Sequence, residues 1–158
     1  MASPTMSYVI CSMALIVLVL VLPSFFEIQR NSIAGEMTRR ELTEIADYTS
    51  NTLSNLLFIA KSAHSSGISL TKELLYLPLM VGDSYYVLNI DNGGDSLKVT
   101  ACIKGQPSIS GQSWITPSLN VQEFSQEINS YELESKIAVA GCNEESGSFY
   151  VSLGYDAK

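Results

Sequence analysis

The chain divides into three stretches by the period of its apolar positions. From Met1 to Phe26 there is no charged side chain, and Tyr8 to Leu22 is almost wholly aliphatic. A hydrocarbon layer ~30 Å thick is crossed by ~20 helical residues. Inside lipid every backbone amide must bond within its own segment, so residues 1–26 predict a helix despite their Val and Ile content. Pro23 removes one ladder hydrogen bond and is expected to kink that helix. From residue 27 to 67 apolar positions recur at three- and four-residue steps after Leu42: Ile45, Thr49, Leu53 or Thr52, Leu56, Ile59 or Ala60, and Ala63. Arg39, Arg40, Glu44, Asp47 and Lys61 are the charged positions of the same stretch. This spacing predicts an amphipathic helix with one apolar stripe, stopped at Ser65-Ser66-Gly67. Run together from Thr5 to Ser66, the two helices would span ~90 Å.

Residues 68–158 change to a period of two. Strands are predicted over Lys72–Val81, Ser84–Asp91, Ser96–Lys104, Glu134–Cys142 and Ser148–Tyr155, with turn residues between them. Leu97, Val99, Ala101 and Ile103 alternate with Lys98, Thr100, Cys102 and Lys104, and Phe149, Val151, Leu153 and Tyr155 alternate in the same way. Such alternation marks an antiparallel sheet with one buried face. The stripe carried by Leu42, Ile45, Leu53, Leu56 and Ile59 is its expected cover. Gly105–Pro117, with two prolines and two glycines, reads as a loop, and Val121–Ser130 as a short helix or an edge strand. The fold class is therefore α+β: a long N-terminal helix packed on a small antiparallel sheet or sandwich, lollipop-like.

Charge narrows the partners. The 158 residues carry 9 basic and 16 acidic side chains, a net charge of −7. Only five lysines (Lys72, Lys98, Lys104, Lys136, Lys158) oppose the acids beyond Ile68, so nucleic-acid binding is disfavoured. The run at the N-terminus lacks the basic start and small-residue cleavage site of a secretory signal. Arg30, Arg39 and Arg40 follow the span with nothing basic before it, which taken literally would hold the bulk of the chain in the cytoplasm. Either a basic leader ahead of Met1 or charge-independent translocation of a long domain resolves this.

Candidate chemistry is sparse. Cys11 lies in the apolar run as a small packing residue. By alternation Cys102 and Cys142 both point away from the apolar side of their strands. If the strands are neighbours they form a disulfide closing ~40 residues, worth ~3–4 kcal/mol; two free thiols are the alternative. His64, near the helix end, has no partner nucleophile in any visible motif and suits a helix C-terminus. Asp91, Asn92 and Asp95 are oxygen-rich enough for calcium, although a plain turn is the stronger reading. No glycine loop for phosphate and no glycosylation pattern occurs. The expectation is a protein without catalysis, cofactor or metal.

The Ser3-Pro4 start, the unbroken aliphatic run to Phe26, the amphipathic continuation and the β-rich remainder together resemble the type IV pilin superfamily. Within it, the archaeal pilin and archaellin branch is closest. The resemblance covers the whole chain in architecture and residues 2–26 in residue pattern, and three arginines so soon after the span depart from it. It implies a structural subunit of an extracellular pilus-like filament, held in the membrane before assembly and on the cell surface after it. Copies of itself would be its partners, with a surface or another cell as adhesion target. Tyr8, Val9, Ile10, Leu15, Ile16, Leu18, Leu20, Leu22, Phe25 and Phe26 would form the assembly helix, and Ser7, Ser12 and Ala14 would permit close approach. Tyr85, Tyr86, Trp114 and Tyr150 would join neighbouring β domains. The rival reading is a single-span membrane protein with an exported β-sandwich binding module, a minor pilin or stator-like component.

Overall fold

A computed structural model describes residues 4–63, 67–92, 96–115, 120–121, 125–145 and 147–157. Two compact units emerge, residues 1–37 and 38–158. One α-helix, α1 (Pro4–Ser62), runs through both and carries Pro23 inside it without a break in helical assignment. Among the described residues of the first unit α1 is the only element. Its ladder lacks the amide donor that Pro23 cannot supply. The helix ends at Ser62, with Ala63 in a turn, while His64 to Ser66 lie outside the described residues.

The second unit holds the rest of α1 and two four-stranded sheets. The strands in chain order are β1 (Ser69–Glu73), β2 (Tyr86–Asn92), β3 (Leu97–Ile103), β4 (Gln106–Trp114), β5 (Asn120–Val121), β6 (Ile128–Asn129), β7 (Lys136–Glu145) and β8 (Ser148–Ala157), with a 3-10 turn at Ser130–Glu134. One sheet has the order β1-β7-β8-β5 and the other β4-β3-β2-β6. Both are antiparallel apart from the short parallel pair of β5 and β8. The sheets meet where the Tyr155 hydroxyl of β8 bonds the backbone of Asn129 on β6.

The core follows from the two periodicities. Leu42, Ile45, Ala46, Leu53, Leu56, Leu57 and Ala60 of α1 share one buried cluster with Leu97, Val99, Ala101 and Ile103 of β3 and Val151 and Leu153 of β8. The helix stripe expected from the sequence is present, with one correction. Ile59 is 51% exposed, and Leu57 and Ala60 fill the core instead. At ~100° per residue Ile59 is turned ~100° from Ala60, past the edge of the stripe. Thr49 and Thr52 are buried as well, and the Thr49 hydroxyl donates to the Ile45 carbonyl at 3.0 Å, so its polar group is satisfied.

A second correction concerns Gly105–Pro117, expected as a loop. Gln106–Trp114 is a nine-residue strand paired with β3. Proline is tolerated because β4 is a sheet edge, where a missing donor costs no ladder bond. Gly105, with φ of 86°, turns the chain between β3 and β4. Gly111 is required for a different reason: a Cβ there would sit 2.2 Å from the Thr43 amide nitrogen of α1. The helix backbone rests directly on this strand. Two bonds clip it there, the Ser50 hydroxyl donating to the Trp114 carbonyl at 2.7 Å and the Arg39 guanidinium to the Ser108 carbonyl at 3.3 Å. The stretch expected as strand Lys72–Val81 also differs. β1 stops at Glu73, and Leu75 to Met80 form an irregular, largely exposed segment closed by a bridge between Val81 and Ser84.

Three substitutions test this packing. Gly111→Ala is expected to cost about 3 kcal/mol or more, since only backbone can yield. Leu53→Ala is expected to cost about 2–5 kcal/mol and Ile59→Ala less than about 1 kcal/mol. Thermal unfolding of the solubilised full chain measures all three. Equal losses for Leu53 and Ile59 would contradict the helix orientation described.

Candidate functional site

The most unusual surface lies on α1 before the second unit. Tyr8, Val9, Ile10, Leu15, Ile16, Leu18, Leu20, Leu22, Phe25 and Phe26 are all exposed, Tyr8 by 77% and Leu18 by 54%. The only polar breaks are short and self-satisfied: the Ser12 hydroxyl donates to the Val9 carbonyl at 3.0 Å, and the Ser24 hydroxyl to the Leu20 carbonyl at 3.4 Å. Phe25 and Phe26 touch edge to face, centroids 6.5 Å apart. None of the most apolar window of this helix is buried within the chain, and the helix is long and apolar enough to cross a membrane. Such a segment fits membrane association or an export signal. Fully covering each Leu, Val, Ile or Phe is worth about 1.5–3 kcal/mol, so the summed drive to hide this surface is large. Cys11 sits exposed in the same run.

The cysteines of the β unit correct the expected bridge. Cys102 lies on β3 and Cys142 on β7, strands of different sheets, and both thiols are free. On β7 the buried face is the opposite of the one expected from side-chain alternation. Ala138, Ala140 and Cys142 face the core, while the bulkier Ile137 and Val139 are only half-buried. Small residues occupy the core face there because Leu153, Val151 and Leu70 from the paired strands supply the volume. Burial raises the Cys142 thiol pKa, partly offset by Lys61. Burial, then Glu127 and Asp91, raises that of Cys102. Both shifts favour the protonated thiol, which is the less nucleophilic form.

The aromatic residues expected between neighbouring β domains separate. Trp114 and Tyr85 are exposed and Tyr150 is half-buried. Tyr86 is a core residue, its hydroxyl donating to the Pro78 carbonyl at 2.8 Å and its amide to the Ser130 hydroxyl oxygen at 2.9 Å. Burial, with Tyr155 nearby, raises its pKa. Tyr85 instead meets Tyr131 edge to face, and the Lys104 ammonium lies 4.2 Å from the Tyr131 ring centroid. In the candidate calcium turn, Asp91 accepts a bond from the Thr100 hydroxyl at 2.7 Å, and Asp95 lies outside the described residues. No group of three or more His, Cys, Asp or Glu able to hold a metal occurs among the described residues.

What the sequence reading missed is the exposed segment around Leu75, Tyr76, Leu79 and Met80. Its signal was present, since Pro78 interrupts what otherwise reads as one continuous apolar strand. No protein-family model, curated protein or solved structure matches the chain.

The thiol assignment has a direct check. Unfolded without reductant, the chain should alkylate at both Cys102 and Cys142. In the folded chain Cys142 should be protected. Because its pKa is raised, Cys102 reactivity should keep climbing with pH after that of a free cysteine has levelled off. Mass spectrometry that finds the two joined after non-reducing digestion would overturn the assignment.

Proposed function

We propose that the chain is a structural subunit of an extracellular, type IV pilus-like filament, assembling through its N-terminal helix and performing no catalysis. One observation carries the reading: a helix apolar on every side, none of whose most apolar window is covered by its own chain. Lipid satisfies such a surface before assembly, and the apolar helices of other copies satisfy it afterwards. Between helices the attraction is close packing, which small residues such as Ser12 and Ala14 allow. A surface apolar all round needs no dedicated dimer face. Contacts that are head-to-tail and do not close produce a helical fibre instead of a ring. The β unit, with its own core and acidic surface, is then the part that meets water and any adhesion target.

A single-span anchor carrying an exported binding module is the second reading. It is favoured by Arg30, Arg39 and Arg40, which make the helix after the span more polar than the core of a closely packed bundle.

Leu18→Arg separates the two. In a bundle it buries an unpaired charge, at a cost of several kcal/mol, and should abolish fibres seen by electron microscopy of sheared surface material. Wild-type chain that remains a detergent-bound monomer under every condition would sink the filament reading.

A further inference from the structure

The first unit carries a second exposed face beyond the aliphatic run. Phe26, Arg30, Ile33 and Met37 recur at four-, three- and four-residue steps, which places them on one side of the helix. All are exposed. Arg30 stands in the middle of this apolar stripe, and no hydrogen bond or ion pair reaches it among the described residues. If the stripe is covered, this guanidinium needs a carboxylate, because a buried unpaired charge costs several kcal/mol.

The second unit offers a groove of about 420 Å³ whose wall includes Glu41, Glu44, Tyr48, Tyr76, Pro78 and Met80. Tyr48 and Tyr76 pack edge to face, ring centroids 5.9 Å apart. Tyr76 itself is 82% exposed and belongs to the apolar segment that β1 leaves uncovered. Glu41 and Glu44 lie three residues apart on the exposed side of the helix, and neither has an ion pair among the described residues. Two carboxylates beside two tyrosine rings and a methionine make a receptor for a cation carried on an apolar surface. Arginine fits best, since its planar group can fork onto carboxylates and stack on an aromatic face at once. Arg39 is already engaged with Ser108.

We propose that this groove is the docking site for the Phe26–Met37 helix face of a second copy of the chain, with Arg30 set between Glu41 and Glu44 and against Tyr48 and Tyr76. The inference rests on the filament reading and deepens it, by naming a contact that sets which copies lie side by side. The apolar helix supplies the drive to associate, and this pairing supplies register. It also gives a role to an arginine that is otherwise out of place in an assembly helix.

The test uses the full chain with a benzophenone amino acid in place of Tyr76. Natural-abundance and 15N-labelled copies are mixed before assembly. Irradiation is expected to join position 76 of one isotope to a peptide within residues 26–37 of the other. Arg30→Glu should lower that cross-link and the fibre yield by about tenfold or more, as like charges are brought together. Adding Glu41→Arg and Glu44→Arg to the same chain should restore both to within about threefold. Fibres whose cross-link maps elsewhere, joins positions of one isotope only, or captures a different protein would overturn the docking proposal and leave the filament reading standing. A wild-type chain that forms no fibres would overturn both.

Discussion

Between Tyr8 and Phe26 the chain presents apolar side chains on all sides of a helix, and among the described residues nothing covers its most apolar window. Water is a poor solvent for such a surface, because each large aliphatic group left wet forgoes about 1.5–3 kcal/mol of transfer free energy. A soluble helix of this length would show one apolar stripe and one polar face. The absence of a polar face here suits an apolar environment, such as a membrane, better than water. In an apolar environment unbonded amides would be far costlier than the modest helix propensity of valine and isoleucine, which favours a helix here.

The second unit is governed by a different contact. After Leu42 the helix acquires a conventional stripe, and a sheet edge comes close enough to it that Gly111 admits no side chain. With backbone against backbone there, Leu42, Ala46 and Leu53 reach into a core completed by β3 and β8. The Ser50 and Arg39 bonds to β4 carbonyls give that edge strand polar partners on the helix. Such a unit has a core of its own, and its cysteines Cys102 and Cys142 are free.

Each unit also carries surfaces with unfinished chemistry: in the first an arginine in an apolar stripe, in the second two acids beside a tyrosine pair and an apolar segment after β1. Exposed apolar groups scattered singly are ordinary on proteins, but contiguous ones beside uncompensated charge usually mark an interface. Their composition is complementary within one sequence, which is the condition for a chain to assemble with itself through unlike surfaces.

By itself the sequence determined the elements whose period is long and whose composition is one-sided. The charge-free helix, the Leu42–Leu56 stripe and the alternating faces of β3 and β8 are consequences of side-chain transfer energies, and these are local. It could not decide where a breaker is harmless. Pro107 and Gly111 read as loop residues, and only tertiary placement shows the first on a sheet edge and the second beneath a helix backbone. Nor could it decide which face of β7 is inside, because Ala138, Ala140 and Cys142 are buried by the bulk of neighbouring strands and not by their own size. The Cys102–Cys142 pairing failed for the same reason. A disulfide depends on which strands are adjacent, and adjacency is settled by how two sheets and a helix share one core.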